Sequence, residues 1–304
     1  MPRSRKPAAA VGRARIAVGM AVILAAAAIG YLATRNSAIV TPRQTVCGAG
    51  PTTDQVQLSP GQAGIAAVIA GVANQRSMPV RAVAIAYATA LQESKLSNPD
   101  YGDRDSVGVF QQRPSEGWGT AHQIEDPVYA SSRFFAALAA VPHYRRIPID
   151  QAAQAVQHSA DGTAYGQYAT EGTTLADAFS GAQPHAVWCE YGSDPGPTSL
   201  AAAGRSLTAA FGSQARFTVT RPAIATASHK GSHTPAGPAM TVAVQDTQQG
   251  WAIASWLVAH AASYGIKDVT YLGYRWAGFT GSGTWTRLHA GHGSRPDPTT
   301  VTVG

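Results

Sequence analysis

The chain has 304 residues, room for two modest domains with cores of their own. Its formal charge is +6, but Arg3, Arg5, Lys6, Arg13 and Arg15 all precede the first apolar run, with no acid among them, so the remainder is close to neutral. That distribution argues against a nucleic-acid partner, because a basic tail leading into an apolar run is a targeting or orientation signal.

Residues 16–34, IAVGMAVILAAAAIGYLAT, are that run and carry no charge. About nineteen residues at ~1.5 Å each match the ~30 Å hydrocarbon core, and the basic flank keeps the N-terminal side in the cytoplasm. The reading is a basic cytoplasmic tail at 1–15 and a single-pass anchor or signal segment at 16–34. The bulk then lies outside the cell membrane, or is secreted if the segment is cleaved. Residues 35–58 lack periodicity and read as a linker. The two cysteines, Cys47 and Cys189, form an even pair, which in an exported chain reads as a disulfide.

Ser59-Pro60 has the form of an N-cap with proline at the first helical position. Ile65, Val68, Ile69 and Val72 follow at helical spacing. Pro79 opens a second helix with Val80, Val83, Ala84, Tyr87 and Leu91 on its buried stripe and Glu93 and Ser94 in its last turn. Residues 97–119 are polar and irregular. Asp126-Pro127 starts another helix, Asp150 caps a further one through Ala153, Val156 and Gln157, and 173–179 is a short last helix before Cys189. Beyond it come a helix at 200–211, a strand at 217–220 and a Ser/Thr/His/Gly/Pro loop at 225–238. A strand at 240–244, an apolar helix at 251–264 and strands at 269–273, 274–276 and 301–303 complete a small α+β region.

Glu93 is the candidate for acid chemistry. Breaking a glycosidic bond requires a carboxylic acid that protonates the leaving oxygen while positive charge builds on the sugar. The negative end of the helix dipole and the apolar neighbours Ala90 and Leu91 both favour the neutral acid at this position. The segment Ala90-Leu91-Gln92-Glu93-Ser94, followed by Asp103-Arg104-Asp105-Ser106-Val107-Gly108-Val109-Phe110-Gln111-Gln112, resembles the lytic transglycosylases of the lysozyme-like superfamily. In that family a Glu-Ser pair ends a helix, and a Gly-hydrophobic-hydrophobic-Gln motif, here Gly108 to Gln111, lies a short loop later. The third family motif, Ala-Tyr-Asn-Ala-Gly, is matched only in part by Ala164-Tyr165-Gly166. The resemblance covers roughly residues 58–189, and over residues 91–154 the wording looks closer still to a group of actinobacterial lysozyme-like proteins.

The resemblance implies cleavage of the MurNAc–GlcNAc β-1,4 bond of peptidoglycan by a single carboxyl group and no cofactor. Glu93 donates a proton to the glycosidic oxygen, then takes one from the sugar's own 6-hydroxyl to leave a 1,6-anhydro end. Gly108 would let backbone approach the glycan, and Gln111, with Gln112 beside it, would bond its polar groups. Ser106 would hold Glu93 or substrate, and Tyr165 would support the oxocarbenium-like state. Trp118, between Gly117 and Gly119, is the best placed aromatic for stacking on a sugar, ahead of Tyr144 and of Tyr129, which reads as core. Two alternatives stand beside this one. Asp103 or Asp105 would act as a second carboxylate in a hydrolytic muramidase, given a separation of ~6.5–9.5 Å. A non-catalytic scaffold would grip peptidoglycan without cutting it.

Residues 250–285 with the final Val-Thr-Val resemble the C-terminal domain of actinobacterial wall proteins of peptidase-like descent. Where active relatives carry zinc-binding His and Asp, this chain has Thr234, Thr241 and Thr299-Thr300. His229, His233, His289 and His292 lack the family spacing, so no metal is expected. The expected fold is a mostly α lysozyme-like domain over 59–190 after an N-terminal transmembrane helix, with 191–240 as linker and start of the second domain. A small α+β domain over 241–304 follows. The expected partners are peptidoglycan glycan strands, the membrane through the N-terminal helix, and a protein contacting the C-terminal domain.

Overall fold

The computed structural model describes residues 45–158, 162–192, 196–220, 238–288 and 296–304. These residues belong to one compact unit. The expected membrane segment at 16–34, and His229, His233, Thr234, His289 and His292, lie outside the described residues.

The chain enters on β1 (Val46–Ala49) and β2 (Val56–Leu58). Ser59 caps α1 (Pro60–Gln75) through a reciprocal pair with Gln62, the hydroxyl accepting from the Gln62 backbone N–H and the Gln62 side chain accepting from that of Ser59. After Ser77, in a left-handed conformation, comes α2 (Val80–Ser94). Its residues from Ala82 through Leu91 are all buried, so it is the central helix of this half. An irregular segment leads to the short α3 (Ala121–Ile124), then α4 (Pro127–Ala140), capped by Asp126 as its Asp-Pro start predicts. α5 (Ile149–Gln157) begins after Pro148, with Asp150 inside its first turn rather than at the cap. A 3-10 stretch, Gly162–Tyr168, runs into α6 (Ala169–Phe179), which packs along α2.

β3 (Val187–Glu190) returns beside β1 and completes an antiparallel sheet of order β2-β1-β3. Cys47 and Cys189 face each other in this register and form the disulfide, with Cα atoms 4.0 Å apart. It closes a loop across 142 positions, which the chain-entropy model credits with about 5 kcal/mol.

The second half holds α7 (Leu200–Phe211), β4 (Arg216–Thr220), β5 (Ala239–Ala243), α8 (Thr247–Ala259) and the one-turn α9 (Ala261–Tyr264). The strands β6 (Val269–Tyr271), β7 (Tyr274–Trp276), β8 (Trp285–Arg287) and β9 (Thr300–Val303) complete it. Its antiparallel sheet has the order β4-β5-β9-β6-β7-β8. Leu272 and Gly273, both at positive φ, make the two-residue turn between β6 and β7. α8 lies on this sheet on one side and against α1 on the other, so a single apolar core runs through both halves.

Two parts of the expected fold are corrected. No helix among the described residues is long and apolar enough to cross a membrane. The first half is also not simply helical: about half of the described chain is helix, and two antiparallel sheets accompany it, one of them inside that half. Val46-Cys47-Gly48-Ala49 is too short to alternate visibly, and it becomes a strand through pairing with β3 some 140 residues on. Such long-range pairing leaves no local signal.

Candidate active site

The site begins where α2 ends. Lys95 and Leu96 both take positive φ, and their N–H groups return to Leu91 and Ala90 carbonyls, a Schellman-type stop made without glycine. The hydroxyl of the preceding residue, Ser94, lies 2.7 Å from the Val109 carbonyl, so it joins the helix end to the Gly-Val-Phe-Gln loop. That loop is a tight turn: the Gln111 N–H donates to Gly108 O, and Val107 and Gln112 exchange backbone hydrogen bonds beneath it. Phe110 anchors it by stacking on Phe134, ring centroids 4.5 Å apart.

Gly108 is buried at φ +78, and a Cβ there would come within 2.7 Å of the Ile124 carbonyl. Its lack of a side chain therefore serves packing on α3, and it does not line the cleft. Gln111, also at positive φ, donates to the Tyr101 and Gly108 carbonyls. Gly102 makes room for its amide: a Cβ there would sit 1.9 Å from Gln111 Oε1.

Glu93, Asp103, Ser106, Gln111, Gln112 and Trp118 share one cleft of about 1410 Å³, walled on the far side by the end of α4 and by Val156, Gln157 and His158. Glu93 is half-buried. Its Oε1 accepts from the Tyr165 hydroxyl at 2.6 Å and from Gln157 Nε2 at 3.2 Å. The same Gln157 amide donates to Phe110 O at 2.8 Å, which ties the carboxylate, α5 and the Gly-Val-Phe-Gln loop together. Because both of its partners are acceptors, the orientation of this amide follows from the network.

Tyr165 is 1% exposed and does not line the cleft, so it acts on Glu93 rather than on a ligand. Gln112 is 1% exposed, with Nε2 bonded to the Ala130 carbonyl, and forms the floor. Trp118 is half-buried, its carbonyl held by Tyr129 Oη and its ring at the cleft wall.

The two aspartates differ. Asp105 accepts from the Ser115 N–H and hydroxyl and pairs with Arg113 Nε at 2.9 Å. The Ser115 backbone N–H, followed by its hydroxyl and the Arg113 guanidinium, holds the Asp105 carboxyl down at about 2. Asp103 lines the cleft, but its side chain is 93% exposed and its ion partner is Arg104, 3.9 Å away.

Gln157 escaped the sequence reading as a site residue, where it was only one position of an amphipathic helix. The available signal was its place beside the helix end, where His158 adopts a left-handed conformation. In the second half, Thr241 lies on β5, and Thr299 bonds Asp297 ahead of β9. Among the described residues no three His, Cys, Asp or Glu side chains gather as a metal site. No protein-family model matches the chain, and no curated protein matches it.

Proposed function

We propose that this protein cleaves the β-1,4 bond between MurNAc and GlcNAc in peptidoglycan, with Glu93 as the only carboxyl group in the chemistry, and leaves 1,6-anhydro ends. The carrying observation is the setting of Glu93: a half-buried carboxyl at a large cleft, with both of its hydrogen-bond donors on Oε1. When Glu93 is protonated, Tyr165 and Gln157 leave Oε2 to carry the proton, so Oε2–H is the general acid. After the leaving oxygen takes that proton, the same Oε2 is the base that receives the proton of the 6-hydroxyl. The glycosidic bond breaks as the leaving oxygen is protonated, and the 6-oxygen, losing its proton to Oε2, then bonds to the oxocarbenium-like anomeric carbon, so no water is consumed. Tyr165 and Gln157 hold the carboxyl in one orientation through both steps, which is the positioning such catalysis needs.

The aspartates favour this reading over hydrolysis. Asp105 is committed to Arg113 and Ser115, and Asp103 projects into solvent, so neither is held as Glu93 is. The disulfide supports an oxidising compartment outside the cytoplasm, where peptidoglycan lies.

The test is mass spectrometry of products released from peptidoglycan by the wild-type chain and by Glu93→Gln. Anhydro-muropeptides from wild type alone are expected. Reducing ends lost in the variant would move the assignment to a hydrolase with Asp103 as the next residue to change. An intact wall with bound protein in both cases would favour a glycan-gripping scaffold.

A further inference from the structure

Beside the main cleft, the connection from α4 to α5 forms a smaller concavity of about 370 Å³, lined by residues 139–146. Ala140, Val141 and Pro142 border both spaces, so a ligand in one can extend into the other. The charges of the two differ. In the main cleft Arg113 is paired with Asp105 and Glu116, Arg104 faces Asp103, and Arg133 donates to the Gly117 carbonyl. In the smaller one, His143, Arg145 and Arg146 contribute the ionisable basic groups and no acidic residue contributes to the wall. Arg145 and Arg146 are exposed, and neither has an ion pair among the described residues.

This basic surface stands on an ordered turn. The Arg146 and Ile147 N–H groups both donate to the His143 carbonyl, and Arg81 donates to that of Ile147. Tyr144 is buried, and Arg145 Nε donates to its hydroxyl at 3.3 Å while the guanidinium lies 5.8 Å from the ring centroid. Arg145 and Arg146 place two positive charges at neighbouring positions with no acidic residue in the wall, and a bound anion offsets that charge. Guanidinium forks match carboxylates in bidentate fashion.

We infer that this turn is an anion subsite of the cleft, and that it takes the carboxylates of acidic peptides carried by a glycan strand whose sugars lie against Glu93. It rests on the glycan reading above and adds to it that the preferred substrate is a peptide-substituted strand rather than a bare one.

The experiment measures binding by the full chain carrying Glu93→Gln, so that the ligand stays uncut, and by the same chain with Arg145→Gln and Arg146→Gln added. The probes are soluble glycan strands with their acidic peptides, the same strands after amidase removal of the peptides, and a phosphodiester-linked wall polymer. Peptide-bearing strands are expected to bind about tenfold tighter than bare ones, a gain that shrinks with added salt. The double substitution removes that gain and leaves bare-strand affinity and Tm unchanged. Equal affinity for the two strands in the parent, or equal weakening of both in the variant, overturns the subsite alone. Arginine-dependent binding of the phosphodiester polymer without any peptide gain overturns the carboxylate assignment. Failure of the parent to bind either strand overturns the glycan reading and the subsite with it.

Discussion

Both halves of this molecule bury large aromatics, but they differ in where they keep polar side chains. Around Glu93, the chain accepts left-handed backbone at Lys95, Leu96, Arg104 and Gln111, and it keeps polar side chains on the wall of a cleft. In the second half the large aromatics go inward. Trp256 and Trp276 are at most 1% exposed, and the Trp276 indole donates to the Cys189 carbonyl. Tyr191 donates to Val258 O from within the same core. Half-buried polar groups line the cleft where chemistry is expected, and the sheet half shares the core behind them. Since one core runs through both, the sheet half supports the site without lining it.

That contrast can be broken by substitutions on either side. Glu93→Gln removes the acid and is expected to lower muropeptide release on the order of 10²–10⁴-fold, with Tm held close to wild type. A large fall in Tm would mean Glu93 is structural. Trp276→Ala empties a fully buried site and should cost about 3–5 kcal/mol, read by denaturant unfolding. A single unfolding transition is expected for that variant, whereas two transitions would show the halves to be energetically separate.

Gln157→Ala takes one donor from Glu93 Oε1 and the link to Phe110 O together. A loss of about tenfold in kcat with KM little changed is the expected result. Recovery by Gln157→Asn would mark reach as unimportant, whereas a fall in Tm that accounts for the lost activity would make the residue merely structural.

An effect of similar size is electrostatic and belongs to the sheet half. His260 stacks on Trp256 with centroids 3.9 Å apart, and its Nδ1 lies 2.9 Å from the Trp256 carbonyl. Burial pushes His260 down to about 4. Below about pH 6.5 the unfolded chain binds a proton that the folded chain refuses, so stability falls as pH drops from there towards 4. About 1–2 kcal/mol should be gone by pH 5, and His260→Gln should flatten the curve of Tm against pH.

Helix starts were the most legible part of the fold. Ser59-Pro60 and Asp126-Pro127 carry their caps in the local sequence, and both caps form. The polar segment with Asp103, Ser106, Gln111 and Trp118 could be read as a loop following Glu93, and these side chains do meet Glu93 at one cleft. What could not be read depends on contacts between distant positions. Gln157 reaches Glu93 across 64 positions, and Tyr165, named from the partial motif, bonds Glu93 itself across 72, a contact the motif does not specify. The role of Gly108 depends on the Ile124 carbonyl, which only the folded chain brings near. β8, with Trp285, gives too short a run to alternate, and the apolar stretch at 251–264 reads as one helix although the chain breaks it at His260.

The central claim is that one carboxyl group cleaves the glycan without water. Digestion of peptidoglycan in water enriched in oxygen-18, with borohydride trapping of any reducing ends, tests it most directly. New ends that carry no label and weigh one water less than reducing ends are the predicted result. Labelled, reducible ends would contradict it and require a second group to activate water.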